Sequence, residues 1–210
     1  MRAGALSSSG NARWTTEGST VRPWNREIVL DGLALPASVV STGRSLLSRP
    51  VSLSGTAGGV AFAVAAGGPA KRLSASRTAA EFTGAGRGGP IAVATKVRVE
   101  YDGCARVEMT IEPAGGGAVA LDDLRLEIPM RAGEATHMHT FRHDMRTSCY
   151  AGLVPPGEGR VWDSAKVPAN QMTVGSFVPL VFLGTPSAGV TWFADSDEGW
   201  WPTDARPGAE

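Results

Sequence analysis

The sequence has no long apolar run and almost no helical periodicity. No stretch approaches the roughly 18 apolar residues that a membrane-spanning helix needs, so we expect no transmembrane helix. Apolar residues rarely recur at the three- and four-residue spacing of an amphipathic helix. These absences exclude helical membrane proteins and leave strands as the main structural signal.

An excess of charge of one sign is also lacking. The 210 residues include 20 Lys and Arg and 20 Asp and Glu, so the formal net charge is +0. A neutral chain without a basic block has no electrostatic attraction to nucleic acid or to an anionic membrane. We therefore expect neither as a partner.

Cysteine is scarce: Cys104 and Cys149 are the 2 in the chain. They do not make the disulfide framework of a small secreted protein, and sequence alone leaves their pairing open.

The start, MRAGALSSSGNARWTTEGS, lacks the apolar core of a signal peptide. A cytoplasmic protein is the default expectation, but a start codon inside a larger gene would look the same, so the localisation stays open.

Motifs for nucleophilic and phosphate chemistry are missing as well. The sequence has no Gly-x-Ser-x-Gly, no Gly-x-x-x-x-Gly-Lys and no Cys/His pair at a recognisable spacing. Glycine-rich stretches such as residues 84–89 are not followed by a helical pattern, and we interpret them as loops. We expect no cofactor.

Strand alternation is what the sequence has in quantity. Residues 91–101 place Ile91, Val93, Val97, Val99 and Tyr101 on one face and charged side chains on the other. The pair Asp102-Gly103 follows, and then residues 104–112 alternate again, with Val107, Met109 and Ile111 facing inward. Asp-Gly between two alternating runs predicts an antiparallel hairpin. Residues 123–128 alternate after three glycines, so we expect them to add a third strand to this meander.

Weaker strand signals occur along the rest of the chain. They lie at residues 26–31, 37–40, 50–53, 59–65, 72–75, 80–84, 135–141, 177–183 and 188–194. Pro179 indicates an edge strand or a bulge, because proline cannot donate to the ladder. About a dozen short strands with Gly- and Pro-rich turns predict an all-β fold, a large antiparallel β-sandwich of two broad sheets with little or no helix. We expect a flexible segment over 1–23, the sandwich over 24–202, and a tail over 203–210 that begins a linker.

Residues 142–176 differ from the rest of the chain. They have little alternation, many Pro and Gly, and clustered polar groups. A loop this long in a compact domain is usually functional. Because a tryptophan is costly to leave in water, we predict that residues 142–176 are ordered against the sheet that carries His137 and His139, with Trp162 as the anchor.

The chain's histidines are clustered at His137, His139 and His143. His-x-His on a strand places both rings on one face, and His143 or Asp144 would supply a third metal ligand. Two rings that hydrogen-bond to the neighbouring loop explain the same pattern, and we assign no metal site.

Acidic and aromatic side chains gather in the long loop and after the last predicted strand. Carboxylate pairs perform glycoside hydrolysis, and aromatic rings beside acids hold sugars. Ordinary turn chemistry explains the same acids, so we assign no catalytic residue. The candidates for a carbohydrate or domain interface are Trp162, Asp163, Asp195, Asp197, Glu198, Trp200, Trp201, His139 and Arg146. Because Trp200 and Trp201 are adjacent, a strand would bury one and leave the other to face a ligand or another domain.

Several segments, taken in order, resemble one protein family. They are DGLALPASVV, LLSRPVSL, VEYDGCARVEMTIEP, LDDLRLEIPM, HTFRH, YAGLVPPGEGRVWDS, GSFVPLVFLG and GVTWFADSDEGW. From about Arg26 to Trp201 the chain resembles the N-terminal β-sandwich of the glycoside hydrolase 123-like proteins, often catalogued only as a domain of unknown function. The most specific segments are residues 159–164 and 192–200.

The resemblance implies a multi-domain bacterial protein in which this sandwich precedes a (β/α)₈ barrel with the hydrolytic carboxylates. This chain has no alternation of strands and helices that would form such a barrel. We therefore expect an accessory domain that packs on the barrel or lines its cleft, without hydrolytic activity of its own. Its expected partners are a polysaccharide or oligosaccharide and the barrel. A free-standing carbohydrate-binding module and a structural interaction module are the alternatives.

Overall fold

The structure, a computed structural model, describes residues 14–141, 149–163 and 178–196. The described residues form β-strands, β1 to β17 in chain order, and one short 3₁₀ turn at Ala132–Glu134. The structure is 57% strand and 2% helical, and its sheets are antiparallel. The predicted all-β antiparallel class is therefore confirmed. Within the described ranges, no helix is long and apolar enough to cross a membrane.

The chain divides into two compact units, Met1–Pro129 and Met130–Glu210, called here the first and second units. The described residues form three sheets in the first unit and one in the second, which differs from the two broad sheets that we predicted. The predicted boundaries at 24 and 202 stay a prediction. Trp14 and two short strands nevertheless lie within the stretch predicted to be flexible, and the Trp14 indole N–H donates to the carbonyl of Ser76 at 2.9 Å.

The three sheets of the first unit follow the chain closely. The first sheet has the order β1 (Thr15–Glu17), β2 (Thr20–Arg22), β3 (Arg26–Leu30), β4 (Pro36–Ser41), β5 (Arg44–Ser45). The second has the order β12 (Ala105–Pro113), β11 (Ile91–Glu100), β10 (Ala79–Gly88), β8 (Ala65–Ala66), with β9 (Lys71–Ala75) also on β10. The third has the order β13 (Asp123–Glu127), β6 (Ser52–Ala57), β7 (Val60–Ala63).

The inward face of β11 forms the centre of this unit. Val97 and Val99 pack in one buried cluster with Ile28 of β3 and Phe82 of β10. Ile91 packs in a second cluster with Leu53 of β6. Side chains from the first and third sheets therefore meet the same face of the second sheet, which is the packing of a sandwich. Between the clusters, the buried Thr95 hydroxyl donates to the carbonyl of Leu33.

The predicted hairpin about Asp102-Gly103 is confirmed. β11 and β12 pair antiparallel from Ile91↔Pro113 to Val99↔Ala105. The N–H of Gly103 donates to the carbonyl of Glu100, and Gly103 has a φ of +87°. Cys104 N–H also donates to the Asp102 carboxylate at 2.9 Å. The loop is therefore a turn closed by a left-handed glycine, one residue longer than a two-residue turn.

Replacing Gly103 by valine is expected to destabilise the first unit by about 2 kcal/mol, because a β-branched residue is strained at positive φ. A Cβ there would also lie 2.9 Å from Cδ of Arg26, whose guanidinium donates to the Asp102 carbonyl. Gly103→Asn is the matched control, since asparagine tolerates this conformation better. Thermal unfolding of both variants measures the difference. Equal melting temperatures for the valine variant and the parent would contradict the turn assignment.

The predicted meander is wrong at its third strand. β13 pairs with β6 from Asp123↔Thr56 to Glu127↔Ser52, not with β12. The connection contains residues 115–117, three glycines that let the chain turn away from the second sheet. β12 is consequently a terminal strand of its sheet, and its inward-facing Val107 and Ile111 are each 40% exposed.

The interpretation of residues 84–89 as a loop is also wrong. Gly84, Gly86 and Gly88 lie on one face of β10, in register with β11. A Cβ at Gly84 would lie 2.5 Å from the carbonyl oxygen of Gly32, and a Cβ at Gly88 would lie 2.7 Å from Cα of Val64. The glycines are there because other backbone segments cross this face without room for a side chain.

Asp31 holds the backbone segment that crosses Gly84. Its carboxylate accepts the N–H groups of Leu33 at 2.8 Å and Leu35 at 3.0 Å. Burial raises the pKa of Asp31 above its ordinary value, and the two backbone N–H groups oppose that rise. The carboxylate thus fixes the turn that lies against the glycine face of β10.

The second unit contains a single described sheet. Its order is β15 (Cys149–Leu153), β14 (His137–Phe141), β16 (Leu180–Gly184), β17 (Gly189–Phe193). β15 lies inside the stretch that the sequence left without structure. The prediction that Pro179 marks an edge or bulge is wrong, because β16 is an inner strand and Pro179 immediately precedes it. Its carbonyl accepts the N–H of Ala194 at 3.1 Å.

Candidate functional site

The sheet of the second unit has two different faces. Met138 and Thr140 are buried on one face, and their register partners on β16 are Leu183 and Val181. His137, His139 and Phe141 alternate with them and therefore lie on the other face. The strands thus present an apolar surface on one side and a half-exposed surface with two imidazoles on the other.

Residues 154–163, called here the covering segment, lie over the apolar face. The N–H of Val154 donates to the carbonyl of Thr136 at 3.0 Å, which ties the start of the segment to β14. Positive φ at Gly157 and Gly159, 138° and 72°, turns the segment before Arg160. These contacts position the segment without regular secondary structure.

A cavity of about 350 Å³ lies between the covering segment and the sheet. Its lining is mostly apolar. The sheet contributes Met138, Val181 and Leu183, and the covering segment contributes Val154, Gly159, Arg160, Val161 and Trp162. Trp162 lines this cavity together with Met138 of β14. That it anchors residues 142–176 stays a prediction, since residues 142–148 and 164–176 lie outside the described residues.

The indole N–H of Trp162 has an unusual environment. Nε1 is buried, and no hydrogen-bond acceptor for it occurs among the described residues. The hydroxyl of Thr140 is also buried without a partner within the described ranges. A buried donor without an acceptor costs about 1–3 kcal/mol, and because Nε1 has almost no accessible surface, it is closed to a bound molecule.

Asp163 follows Trp162 and is oriented by an ion pair. Nη1 of Arg160 lies 2.9 Å from Oδ2 of Asp163. The Arg160 side chain is 74% exposed, whereas the Asp163 side chain is 21% exposed. Arg160 also lines the cavity. The site therefore combines an apolar wall and one charged pair.

His139 does not belong to this cavity. It lies on the opposite face of β14, with Phe182 as its register partner on β16. Nδ1 of His137, on the same face, lies 2.9 Å from the hydroxyl of Thr136. Among the described residues no group of three His, Cys, Asp or Glu side chains is placed to hold a metal ion. His143 and Asp144 lie outside the described residues.

The comparison with known families agrees with the resemblance in the family, but not in the position of the domain, since we expected the N-terminal domain and the matching model describes the third. The family model described as glycoside hydrolase 123, third domain, matches residues 14–177. The chain belongs to the glycoside hydrolase 123 family. The matched domain is one of this family's domains and is not its catalytic barrel. No curated protein matches the chain.

The remaining candidates of this glycoside hydrolase 123 domain lie away from the cavity or outside the described residues. Asp195 is exposed and lies beyond the end of β17. Asp197, Glu198, Trp200, Trp201 and Arg146 lie outside the described residues, so their roles stay predictions. Trp162 is the candidate that lines the cavity, and Asp163 adjoins it through the ion pair with Arg160.

Sequence reasoning missed the sheet side of the cavity in this glycoside hydrolase 123 domain. Met138 alternates with the two histidines, and Val181 and Leu183 alternate with Phe182. The alternation was visible, but it does not say which face another segment covers. Trp192 pairs with Val181 on the cavity face and is half-buried.

Proposed function

We propose that this chain is a non-catalytic accessory domain of a glycoside hydrolase and acts together with a (β/α)₈ barrel of the same polypeptide. The observation that carries the proposal is the family match over residues 14–177 to a domain other than the barrel. The fold supports it, since a (β/α)₈ barrel requires parallel strands separated by helices, whereas this chain pairs its strands antiparallel. Hydrolysis then belongs to another domain.

We assign carbohydrate binding to the covering segment. Sugars present many acceptor and donor hydroxyls on partly apolar rings. The exposed Arg160 guanidinium, paired with Asp163, would donate to these hydroxyls, and the apolar lining of the cavity would meet the ring carbons. The same groups favour the alternative, a free-standing carbohydrate-binding module.

Activity assays of the chain alone test whether hydrolysis belongs to the barrel and not to this domain. We expect no turnover of aryl glycosides or polysaccharides above the rate without protein, because the hydrolytic carboxylates belong to the barrel. Turnover that is abolished in Asp195→Asn, Asp197→Asn or Glu198→Gln would contradict the proposal and make the closing turn an active site. An inactive triple variant of an active chain is the decisive comparison.

A soluble-glycan binding screen distinguishes the accessory domain from the free-standing carbohydrate-binding module. An accessory domain is expected to bind glycans weakly by itself, because the barrel supplies the rest of the cleft. Binding in the low micromolar range that is lost in Arg160→Ala would favour the free-standing module instead. Arg131→Ala is the matched control, since it removes an arginine of the same unit that does not line the cavity.

A further inference from the structure

β12 is a long strand with an open edge. It has 9 residues and stands at the end of its sheet, and no other described strand pairs with its outer side. Open edges of this length offer unpaired N–H and C=O groups to another strand. Pro113, at its end, has no N–H and limits pairing there.

The direction of the backbone groups on this edge follows from the hairpin. Glu100 N–H donates to the carbonyl of Cys104, and Ala114 N–H donates to the carbonyl of Pro90, both at 2.8 Å. Even-numbered residues of β12 therefore direct their backbone groups to β11. Because these directions alternate in an antiparallel ladder, the odd-numbered residues 107, 109 and 111 direct theirs to the open edge.

The side chains on this edge are self-complementary. If a second copy pairs antiparallel about Met109, then Arg106 lies opposite Glu112 of the second copy, and Val107 lies opposite its Ile111. The twofold axis repeats each pair, so two cation–anion pairs and two apolar pairs form. The odd-numbered residues then pair with each other, as their outward backbone groups require.

Neighbouring registers lack this match. A shift of the centre to Glu108 places that carboxylate opposite itself, and a shift to Thr110 places Glu108 opposite Glu112. Like charges directly opposite destabilise a strand pair. Glu112 has no ion pair among the described residues, so its charge is available to a second copy. Arg106 already lies 3.4 Å from Glu108 of its own strand, so in the dimer its guanidinium would be shared between two carboxylates.

We infer that two copies of this chain associate through β12, with Met109 on the twofold axis, and join their second sheets into one continuous sheet. The contact covers Val107 and Ile111, which are 40% exposed in the single chain. An interface in which each copy offers the same strand is isologous and closes at the dimer. The inference is independent of the proposed function, because it uses residues of the first unit alone.

Sedimentation of the chain and of charge variants tests this interface. We expect a monomer–dimer equilibrium, weakened at least about tenfold by Glu112→Arg and by Arg106→Glu, because each creates two like-charge pairs. The double variant Arg106→Glu/Glu112→Arg is expected to restore dimerisation, since it swaps the charges. Glu17→Arg, a charge reversal on the exposed edge strand β1, is the control that leaves it unchanged. A chain that stays monomeric up to about 1 mM, or a dimer insensitive to both single changes, overturns the inference.

Cysteine cross-linking tests the register. Met109→Cys is expected to link the two copies on oxidation, because residues opposite each other at a hydrogen-bonded position have Cα atoms about 5.5 Å apart, within disulfide range. Thr110→Cys is the matched control, since its two copies would be diagonal neighbours about 7–8 Å apart. Peptide mapping identifies the link and distinguishes it from links through Cys104 or Cys149. No link at position 109, or an equally fast link at position 110, overturns this register.

Discussion

Gly84→Ala is expected to destabilise the first unit by about 3 kcal/mol, one of the largest effects of any single methyl group in the chain. Its Cβ would lie 2.5 Å from the carbonyl oxygen of Gly32 and 2.6 Å from Cα of Leu33. Both are backbone atoms of the turn that Asp31 holds through two hydrogen bonds. Since backbone cannot rotate away as a side chain does, either the turn or β10 must shift.

Thermal unfolding measures this effect against a matched glycine. For a chain of this size we expect Gly84→Ala to lower the melting temperature by roughly 6–12 °C. Gly115→Ala adds the same methyl group where no atom lies within 4 Å, and its melting temperature is expected to stay near that of the parent. Similar melting temperatures for the two variants would mean that β10 and the Asp31 turn are farther apart than described.

Trp162→Ala is expected to destabilise the second unit by about 2 kcal/mol, because the indole forms one wall of the cavity over β14 and β16. Trp162→Phe keeps an aromatic ring there and is expected to cost less than about half as much. The indole N–H has no acceptor among the described residues, so its removal sacrifices no hydrogen bond that the structure shows.

Hydrogen exchange in β14 and β16 reports the second unit directly. The backbone amides of these strands are expected to exchange faster in Trp162→Ala than in Trp162→Phe. Trp24→Ala is the control, since that indole is 70% exposed and packs little surface. Exchange in Trp162→Ala as slow as in the parent would contradict the packing of the ring over these strands.

The sequence predicted the structure best where two neighbouring strands in the chain pair with each other and bury one face. The alternation over 91–100 and the Asp-Gly signal correctly predicted β11, β12 and their pairing. Tyr101, predicted to continue the inward row, is 57% exposed because it lies in the turn. Local pattern is sufficient when the partner strand is adjacent in the chain.

Long-range contacts explain the two wrong predictions, the loop at residues 84–89 and the pairing of β13. The glycines of β10 look like loop residues until the crossing segments at 32–33 and 63–65 are known. β13 continues the alternation of β12, yet it pairs with β6, about 70 residues earlier in the chain. Neither feature has a signal in the neighbouring sequence, because the contact that determines it is distant.

Local sequence pattern predicted only part of the candidate site. Trp162 stood out as a large aromatic in a polar, proline-rich stretch, and it lies against β14 and β16. Alternation also indicated that His137 and His139 share a face. It did not indicate that the covering segment lies on the opposite face, because that depends on the path of the chain after β15.

We propose that this domain assists hydrolysis without performing it. The most direct test compares kcat/KM of the catalytic barrel on a polysaccharide with and without this domain in the same polypeptide, with short aryl glycosides as the control substrate. We expect loss of the domain to lower kcat/KM on the polymer about tenfold or more, and the domain alone to be inactive. Equal activity of the folded barrel with and without the domain, on polymer and on aryl glycoside alike, would contradict the account.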